Sequence, residues 1–142
     1  MGNGESTAYM RPSEIRFSHD SIQSAFRDGR SLETTYREVL WDKITVDALP
    51  TMEVMQYNGH WFVVRGNRRL FLLKNLEKHN YLTSVKMLRK PYDEGIFYRQ
   101  FTTPNMGKSV KIRGDHFSPF LEQRLDEIWD ERQRQNWSCI IS

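Results

Sequence analysis

The chain has 142 residues, the length of one ordinary domain that can bury a core without disulfide bonds. Its 21 Lys and Arg residues, against 18 Asp and Glu residues, are spread along the sequence, which permits anionic partners but does not favour nucleic acid. A lone cysteine excludes an internal disulfide, no signal-peptide pattern is present, and no apolar run reaches the about 20 residues of a membrane-spanning helix. We therefore expect a cytoplasmic protein that reaches a membrane only through surface charge or covalent lipid.

The first forty residues predict an arm, a strand and two helices. Residues 1–10 are small and largely polar, too poor in apolar groups to offset their ordering entropy, and we expect a flexible N-terminal arm. Ile15-Arg16-Phe17 predicts a short strand, after which Ser18 or Asp20 can cap a helix that runs to Asp28-Gly29. Ser31 then opens a second helix, whose apolar residues recur at helical spacing: Leu32, Tyr36, Val39 and Leu40.

The middle of the chain predicts a β-hairpin that leads directly into a helix. Residues 52–57 and 60–65 read as strands on either side of Asn58-Gly59, a pair that favours the tight turn of a hairpin. Gly66-Asn67 ends the second strand, and Arg68 to Lys78 has the broad apolar face of a helix. Residues 83–88 predict a further strand.

The sequence patterns in the last third of the chain are weaker. Residues 96–98 and 109–112 are candidates for short strands, and Phe120 to Arg134 predicts an amphipathic helix. The fold class we expect is α/β (α+β), with a small mixed sheet, a hairpin that leads into a helix, and a C-terminal helix. The expected divisions are an arm (1–10), a domain (11–90), a C-terminal extension packed on it (91–135) and a tail (136–142).

The turn Gly66-Asn67-Arg68-Arg69 carries the clearest chemical signal. A strand that stops at glycine and feeds a helix leaves unpaired backbone N–H groups, where the helix dipole also favours negative charge. Arg68 and Arg69 oppose that dipole, and an anion held by their guanidinium groups would resolve the conflict. The alternative is that both arginines pair with nearby Glu or Asp residues on the surface.

The order of these elements around the turn resembles the ParB/sulfiredoxin superfamily domain, over about residues 11–90. In ParB-like members a Gly-Glu-Arg-Arg box contacts the phosphates of a nucleotide, and Gly66, Arg68 and Arg69 match it while Asn67 replaces the glutamate. In sulfiredoxins the same place reads Gly-Gly-Cys-His-Arg, so Asn67 also stands where the catalytic cysteine would be. The resemblance implies a phosphate or nucleotide site at Gly66, Asn67, Arg68 and Arg69, with Arg16 nearby. It implies ATP or another nucleotide as the ligand and leaves the need for Mg²⁺ open.

The departures from the family limit the chemistry. Without a thiolate at position 67 sulfiredoxin activity is not expected, and an Asn cannot act as a general base. A nucleotide-dependent phosphotransferase or nuclease would need another base, for which His19, Asp20 and Glu53 are candidates; a helix-capping role for the residues around His19 competes with this. Lys108, Lys111 and Arg113 could extend a basic rim, although such charges are more often a solvated strand face.

Metal binding is not expected, because the four histidines show no ligand spacing and have no cysteine partners: they are His19, His60, His79 and His116. The ends of the chain carry lipidation signals instead. Cys139-Ile140-Ile141-Ser142 is a C-a-a-X sequence of the farnesylated type, and Met1-Gly2 opens a pattern for myristoylation of Gly2, for which a merely flexible start is the alternative. Two lipids would hold the domain at a cytoplasmic membrane leaflet.

Two main hypotheses follow from the sequence. The first is a lipid-anchored binding module for a nucleotide or other phosphorylated ligand, without cysteine-based catalysis. The second is a nucleotide-dependent phosphotransferase or nuclease of the ParB-like type. A nucleic-acid binder would need a contiguous basic face, which the scattered charge does not predict, and the oligomeric state is left open.

Overall fold

The computed structural model describes residues 4–114 and 118–141, and within them the chain forms a five-stranded mixed sheet, a two-stranded sheet and four α-helices. The strands are β1 (Ser6–Met10), β2 (Ile15–Arg16), β3 (Ser21–Gln23), β4 (Met52–Tyr57), β5 (His60–Arg65), β6 (Val85–Lys90) and β7 (Lys111–Arg113). The helices are α1 (Leu32–Leu40), α2 (Asn67–Lys78), α3 (Glu94–Gln100) and α4 (Leu121–Ile141). The predicted fold class is confirmed.

The larger sheet has the order β1-β6-β4-β5-β2. Its centre is the predicted hairpin of β4 and β5, whose turn residues Asn58 and Gly59 adopt φ values of 53° and 80°. β6 joins β4 in parallel and β1 joins β6 antiparallel, while β2 lies parallel to β5 on the other side. β3 and β7 form the second sheet, in parallel.

Residues 6–10 are not a flexible arm, so that prediction is wrong for this part of the chain. They form β1, an edge strand that pairs along its length with β6. Met10 is buried and Ala8 packs against the core, while Thr7 and Tyr9 face solvent. The hydrogen bonds to β6 and the burial of one face of the strand together offset the conformational entropy that these residues lose when they become ordered.

The predicted helix after Ser18 is also wrong. Residues 21–23 form β3, and Ile22 is buried against β7 and the core. The chain then turns back, with the Phe26 N–H donating to the Arg30 carbonyl at 2.8 Å. The strand conformation of residues 21–23 depends on pairing with β7, about ninety positions later in the sequence. A local sequence pattern does not predict such a pairing.

The predicted strand at 96–98 is a helix. The Asp93 side chain accepts a hydrogen bond from the Ile96 N–H at 2.9 Å and caps α3. Phe97 and Phe101, four residues apart, lie on one face of this segment and pack with Phe62 of β5. Phe97 and Phe101 therefore form the apolar side of a short helix, whereas Tyr98 is half exposed.

The main core lies between the larger sheet and the helices α1, α2 and α4. α1 begins where predicted, because the Ser31 side chain accepts a hydrogen bond from the Thr34 N–H at 3.0 Å. α4 extends beyond the predicted end at Arg134, and its residues Leu121, Leu125 and Ile128 complete the core. None of the helices in the described ranges has the length and apolar character to cross a membrane.

Candidate functional site

A groove of about 930 Å³ opens beside the start of α2. Its walls come from the β3 strand and the turn that follows it, from the segment before β4, and from the ends of β5, β6 and β7. Among the described residues that line it, two are carboxylates, Asp28 and Glu53. Seven are basic: Arg27, Arg30, Arg65, Arg68, Arg69, Lys90 and Arg113. The groove is therefore strongly positive, although the charge along the sequence is scattered.

The N-terminus of α2 lies in this groove without a capping side chain. Gly66 is its N-cap residue, and the first turn contains no acidic residue. The first helical hydrogen bond runs from the Leu70 N–H to the Gly66 carbonyl at 2.8 Å, so the N–H groups of residues 67–69 have no intrahelical acceptor. The helix dipole adds partial positive charge at the same place.

Arg68 and Arg69 are held by backbone carbonyl groups. Arg68 donates to the Ala25 carbonyl at 2.7 Å and lies over the Phe26 ring, and Arg69 donates to the Pro50 carbonyl. Neither forms a salt bridge with a carboxylate in the described part of the chain, so the alternative of surface ion pairs is not what the structure shows. Burial, the largest cause, and the neighbouring Arg65 lower the pKa of Arg69, while the Glu53 carboxylate acts in the opposite direction.

Gly66 is the residue that the turn geometry requires. Its φ of 120° lies in the left-handed region that L side chains rarely adopt. A Cβ atom at this position would lie 2.7 Å from Cγ of the buried Met52 and 3.3 Å from Cζ of Arg69. The glycine thus lets the end of β5 turn into α2 directly above the core.

The Asn67 side chain forms hydrogen bonds with other residues of the protein. Its Oδ1 accepts hydrogen bonds from the Ser18 N–H at 3.0 Å and the His19 N–H at 3.3 Å, and its Nδ2 donates to Ser18 Oγ at 3.0 Å. Asn67 and Ser18 are both buried. Asn67 therefore ties the loop after β2 to the start of α2, and what it offers to a ligand is its backbone N–H.

Two of the three candidate bases line the groove. His19 does so with its ring nitrogen 2.7 Å from Gln100 Oε1, and Glu53 does so from β4, where the pairing with β5 is irregular. The Glu53 carboxylate contacts Lys90 at 3.2 Å and Arg65 at 3.5 Å. Asp20 is not among the lining residues, and its carboxylate accepts from the Thr102 hydroxyl at 3.2 Å.

Arg16 lies apart from the other predicted site residues. Its guanidinium donates to the Met106 carbonyl at 3.2 Å, and the residue does not line the groove. Of the three candidates for a basic rim, Arg113 lines the groove and Lys108 and Lys111 do not. The lipidation candidates Gly2 and the Cys139 side chain lie outside the described residues, although the backbone of α4 is helical through Ile141.

The structure adds basic residues that the sequence reasoning did not select. Arg27 and Arg30 come from the turn after β3, and Lys90 from the end of β6. These segments are far apart in the sequence, and no local motif marks them. The only signal was the general excess of basic residues, which does not say where they meet.

No group of three or more His, Cys, Asp or Glu side chains comes together for a metal ion within residues 4–114 and 118–141. What the groove offers chemically is guanidinium, ammonium and backbone N–H groups, which bind anions. When the sequence was compared with protein-family models and with curated proteins, it matched none of them.

Proposed function

We propose that the chain is a ParB/sulfiredoxin-like binding module that holds a nucleotide or another phosphorylated ligand in the basic groove. The observation that carries the proposal is that seven basic residues line the groove in which the uncapped start of α2 lies. Arg68 and Arg69 are held in position by backbone carbonyls and have no salt bridge among the described residues, so a bound anion would help to compensate their charge.

The size and lining of the groove also suit a nucleotide. About 930 Å³ is within the range of small-molecule sites, which combine apolar surface with a few polar groups that fix orientation. The apolar part of the lining includes Ile22, Phe26, Ile44, Leu49 and Ile96. A planar base or other apolar moiety can pack there while the phosphates lie at the helix start.

Calorimetric titration of the purified chain with ATP and with pyrophosphate tests this proposal. In the Arg68→Ala, Arg69→Ala double variant we expect affinity to fall by about 100-fold or more, because two charge-assisted hydrogen-bonding groups are lost. Arg99 and Arg134 are exposed and lie outside the groove lining, so the Arg99→Ala, Arg134→Ala double variant is a control with the same change in charge. Equal affinity in the wild type and the Arg68/Arg69 variant, including no binding by either, would rule the proposal out.

A second candidate function is the phosphotransferase or nuclease activity, favoured by one observation: His19 and Glu53 line the same groove as Arg68 and Arg69. A base beside the phosphate site could activate a hydroxyl or water. Incubation with labelled triphosphate, followed by separation of released phosphate, tests this. Turnover that is abolished by His19→Ala or Glu53→Gln supports the activity, and the absence of turnover in the wild type contradicts it.

We also propose that the module is anchored to a cytoplasmic membrane leaflet by a prenyl group on Cys139, with myristate on Gly2 as the second anchor. The sequence Cys-Ile-Ile-Ser supports this, and one lipid alone gives only marginal membrane residence. In eukaryotic cells we expect Cys139→Ser and Gly2→Ala each to move a tagged chain from the membrane to the soluble fraction. Mass spectrometry that finds both sites unmodified would contradict the proposal.

A further inference from the structure

The two edges of the five-stranded sheet differ in whether another described segment covers them. The β2 edge is covered by the loop at 102–107, where the Phe17 N–H donates to the Gly107 carbonyl at 3.1 Å and Arg16 donates to the Met106 carbonyl. The contact is so close that a Cβ on Gly107 would lie 2.1 Å from the Phe17 carbonyl oxygen. This edge is closed to any other strand.

The β1 edge has no such cover in the described part of the chain, where the hydrogen bonds of β1 run to β6. Its sequence Ser-Thr-Ala-Tyr-Met contains no charged residue and no proline, and its pairing with β6 has no bulge. Charges, prolines and bulges are the usual means by which proteins protect a sheet edge. Tyr9 points from this edge into solvent with 70% of its surface exposed.

We propose that β1 pairs with β1 of a second copy of the chain, so that the two five-stranded sheets join into one continuous sheet. Antiparallel pairing about a two-fold axis has one register in which all five residues overlap. That register places Ala8 on the axis, opposite Ala8 of the second copy, and sets Thr7 opposite Tyr9 twice. Thr and Tyr are both favourable in strands, and they lie on the same solvent-facing side of the sheet.

The charges that flank β1 favour a second copy over an unrelated strand. In the fully overlapped register, Glu5 of one copy lies opposite Arg11 of the other, and the symmetry repeats this pair. The Glu5 carboxylate also contacts Lys90 at 3.6 Å in its own chain, so the pair extends an existing charge cluster. The edge is therefore complementary to itself in charge.

A pair of double variants tests the register as well as the association. Thr7→Lys with Tyr9→Lys places like charges opposite each other at the interface, and we expect it to abolish the dimer in sedimentation-velocity measurements from about 1 to 500 µM. Thr7→Lys with Tyr9→Glu places opposite charges there, and we expect the dimer to persist. A wild-type chain that stays monomeric throughout this range, or two variants that behave alike, would overturn the proposal.

Disulfide trapping is an independent test in a Cys139→Ser background, which removes the only native cysteine. Ala8→Cys places two thiols on the two-fold axis, at a distance that a disulfide can span, and we expect a covalent dimer after mild oxidation. Ser6→Cys is the control, because position 6 lies opposite position 10 of the second copy and far from its own equivalent. Failure of Ala8→Cys to crosslink, or equal crosslinking by Ser6→Cys, would contradict the register. Circular dichroism checks that each variant is folded.

Discussion

Gly66 shows how a single residue joins the fold to the site. It ends β5, starts α2 and lies against both Met52 and Arg69. Gly59 also has a positive φ, 80°, but a Cβ there would meet nothing within 4 Å. Substitution of Gly59 therefore measures the free-energy cost of the backbone conformation alone. Substitution of Gly66 adds the cost of the close contact between the new Cβ atom and Met52.

We predict that Gly66→Ala lowers the free energy of unfolding by about 1–3 kcal/mol more than Gly59→Ala does. Both changes carry backbone strain, and only the first forces a methyl group against a buried side chain. Urea denaturation monitored by circular dichroism measures the difference. Equal losses for the two variants would mean that the Met52 contact relaxes without cost.

The structure gives the Asn67 side chain a role in stability. This side chain satisfies the N–H groups of Ser18 and His19, and Ser18 is fully buried. We predict that Asn67→Ala lowers the free energy of unfolding by about 1–3 kcal/mol, because buried donors lose their acceptor. Asn67→Asp, which keeps the acceptor oxygen, should retain most of the stability in the same denaturation experiment. If Asn67→Ala were as stable as the wild type, the side chain would not be the link between the two segments.

At the scale of elements, a polar cluster fixes α4 to α2. Asp126 of α4 accepts hydrogen bonds from Asn75 at 3.0 Å, from His79 at 2.7 Å and from Lys78 at 3.0 Å. Asn75 accepts in turn from the Tyr36 hydroxyl of α1, so the cluster connects three helices. Burial alone would raise the pKa of Asp126, but the hydrogen bonds from Lys78, His79 and Asn75 outweigh it and hold the pKa below its usual value.

This shift predicts how the stability depends on pH. A carboxyl group whose pKa is lower in the folded than in the unfolded chain stabilises the fold above about pH 4 and loses that contribution as the pH falls further. We predict that Asp126→Asn reduces the difference in unfolding free energy between pH 7 and pH 3, measured by urea denaturation. Glu122→Gln is the matched control, since Glu122 is on the same helix, is 64% exposed and contacts Lys78 alone among these partners. Equal pH dependence in wild type and Asp126→Asn would exclude this role.

The elements that the sequence predicted well are those whose signals are local. Each of these elements is specified by residues close together in the sequence: the hairpin turn at Asn58-Gly59, the Ser31 cap of α1 and the apolar face of α2. The strands β1 and β3 depend on partners at positions 85–90 and 111–113, and their own residues carry a weak pattern. Long-range pairing therefore accounts for the main errors in the prediction.

At the scale of the whole molecule, some residues of the groove are adjacent in the sequence, whereas others are brought together only by the fold. Gly66, Arg68 and Arg69 are adjacent in the sequence and could be selected as a candidate site. Arg27, Lys90 and Arg113 reach the groove only because β3, β6 and β7 end around it. A formal charge of +3 gave no indication that seven basic residues share one surface.

That concentration of charge predicts a dependence of ligand affinity on salt. The Debye length falls from about 10 Å at 0.1 M salt to about 3 Å at 1 M, so basic residues that do not touch the phosphates lose most of their attraction. If the groove binds ATP as proposed, we predict that affinity falls about 10-fold or more between 50 and 500 mM NaCl in calorimetric titrations.

The Arg27→Ala, Arg113→Ala double variant shows whether the distant wall contributes to this field. Both residues are exposed on the side of the groove formed by β3 and β7, and removing them should weaken binding at 50 mM NaCl and flatten the dependence on salt. The Arg99→Ala, Arg134→Ala variant removes the same charge outside the groove and should keep the wild-type slope. If affinity depended on salt in the same way in the wild type and both double variants, the wall formed by β3 and β7 would have no influence on the ligand. The electrostatic attraction would then come from the start of α2 alone.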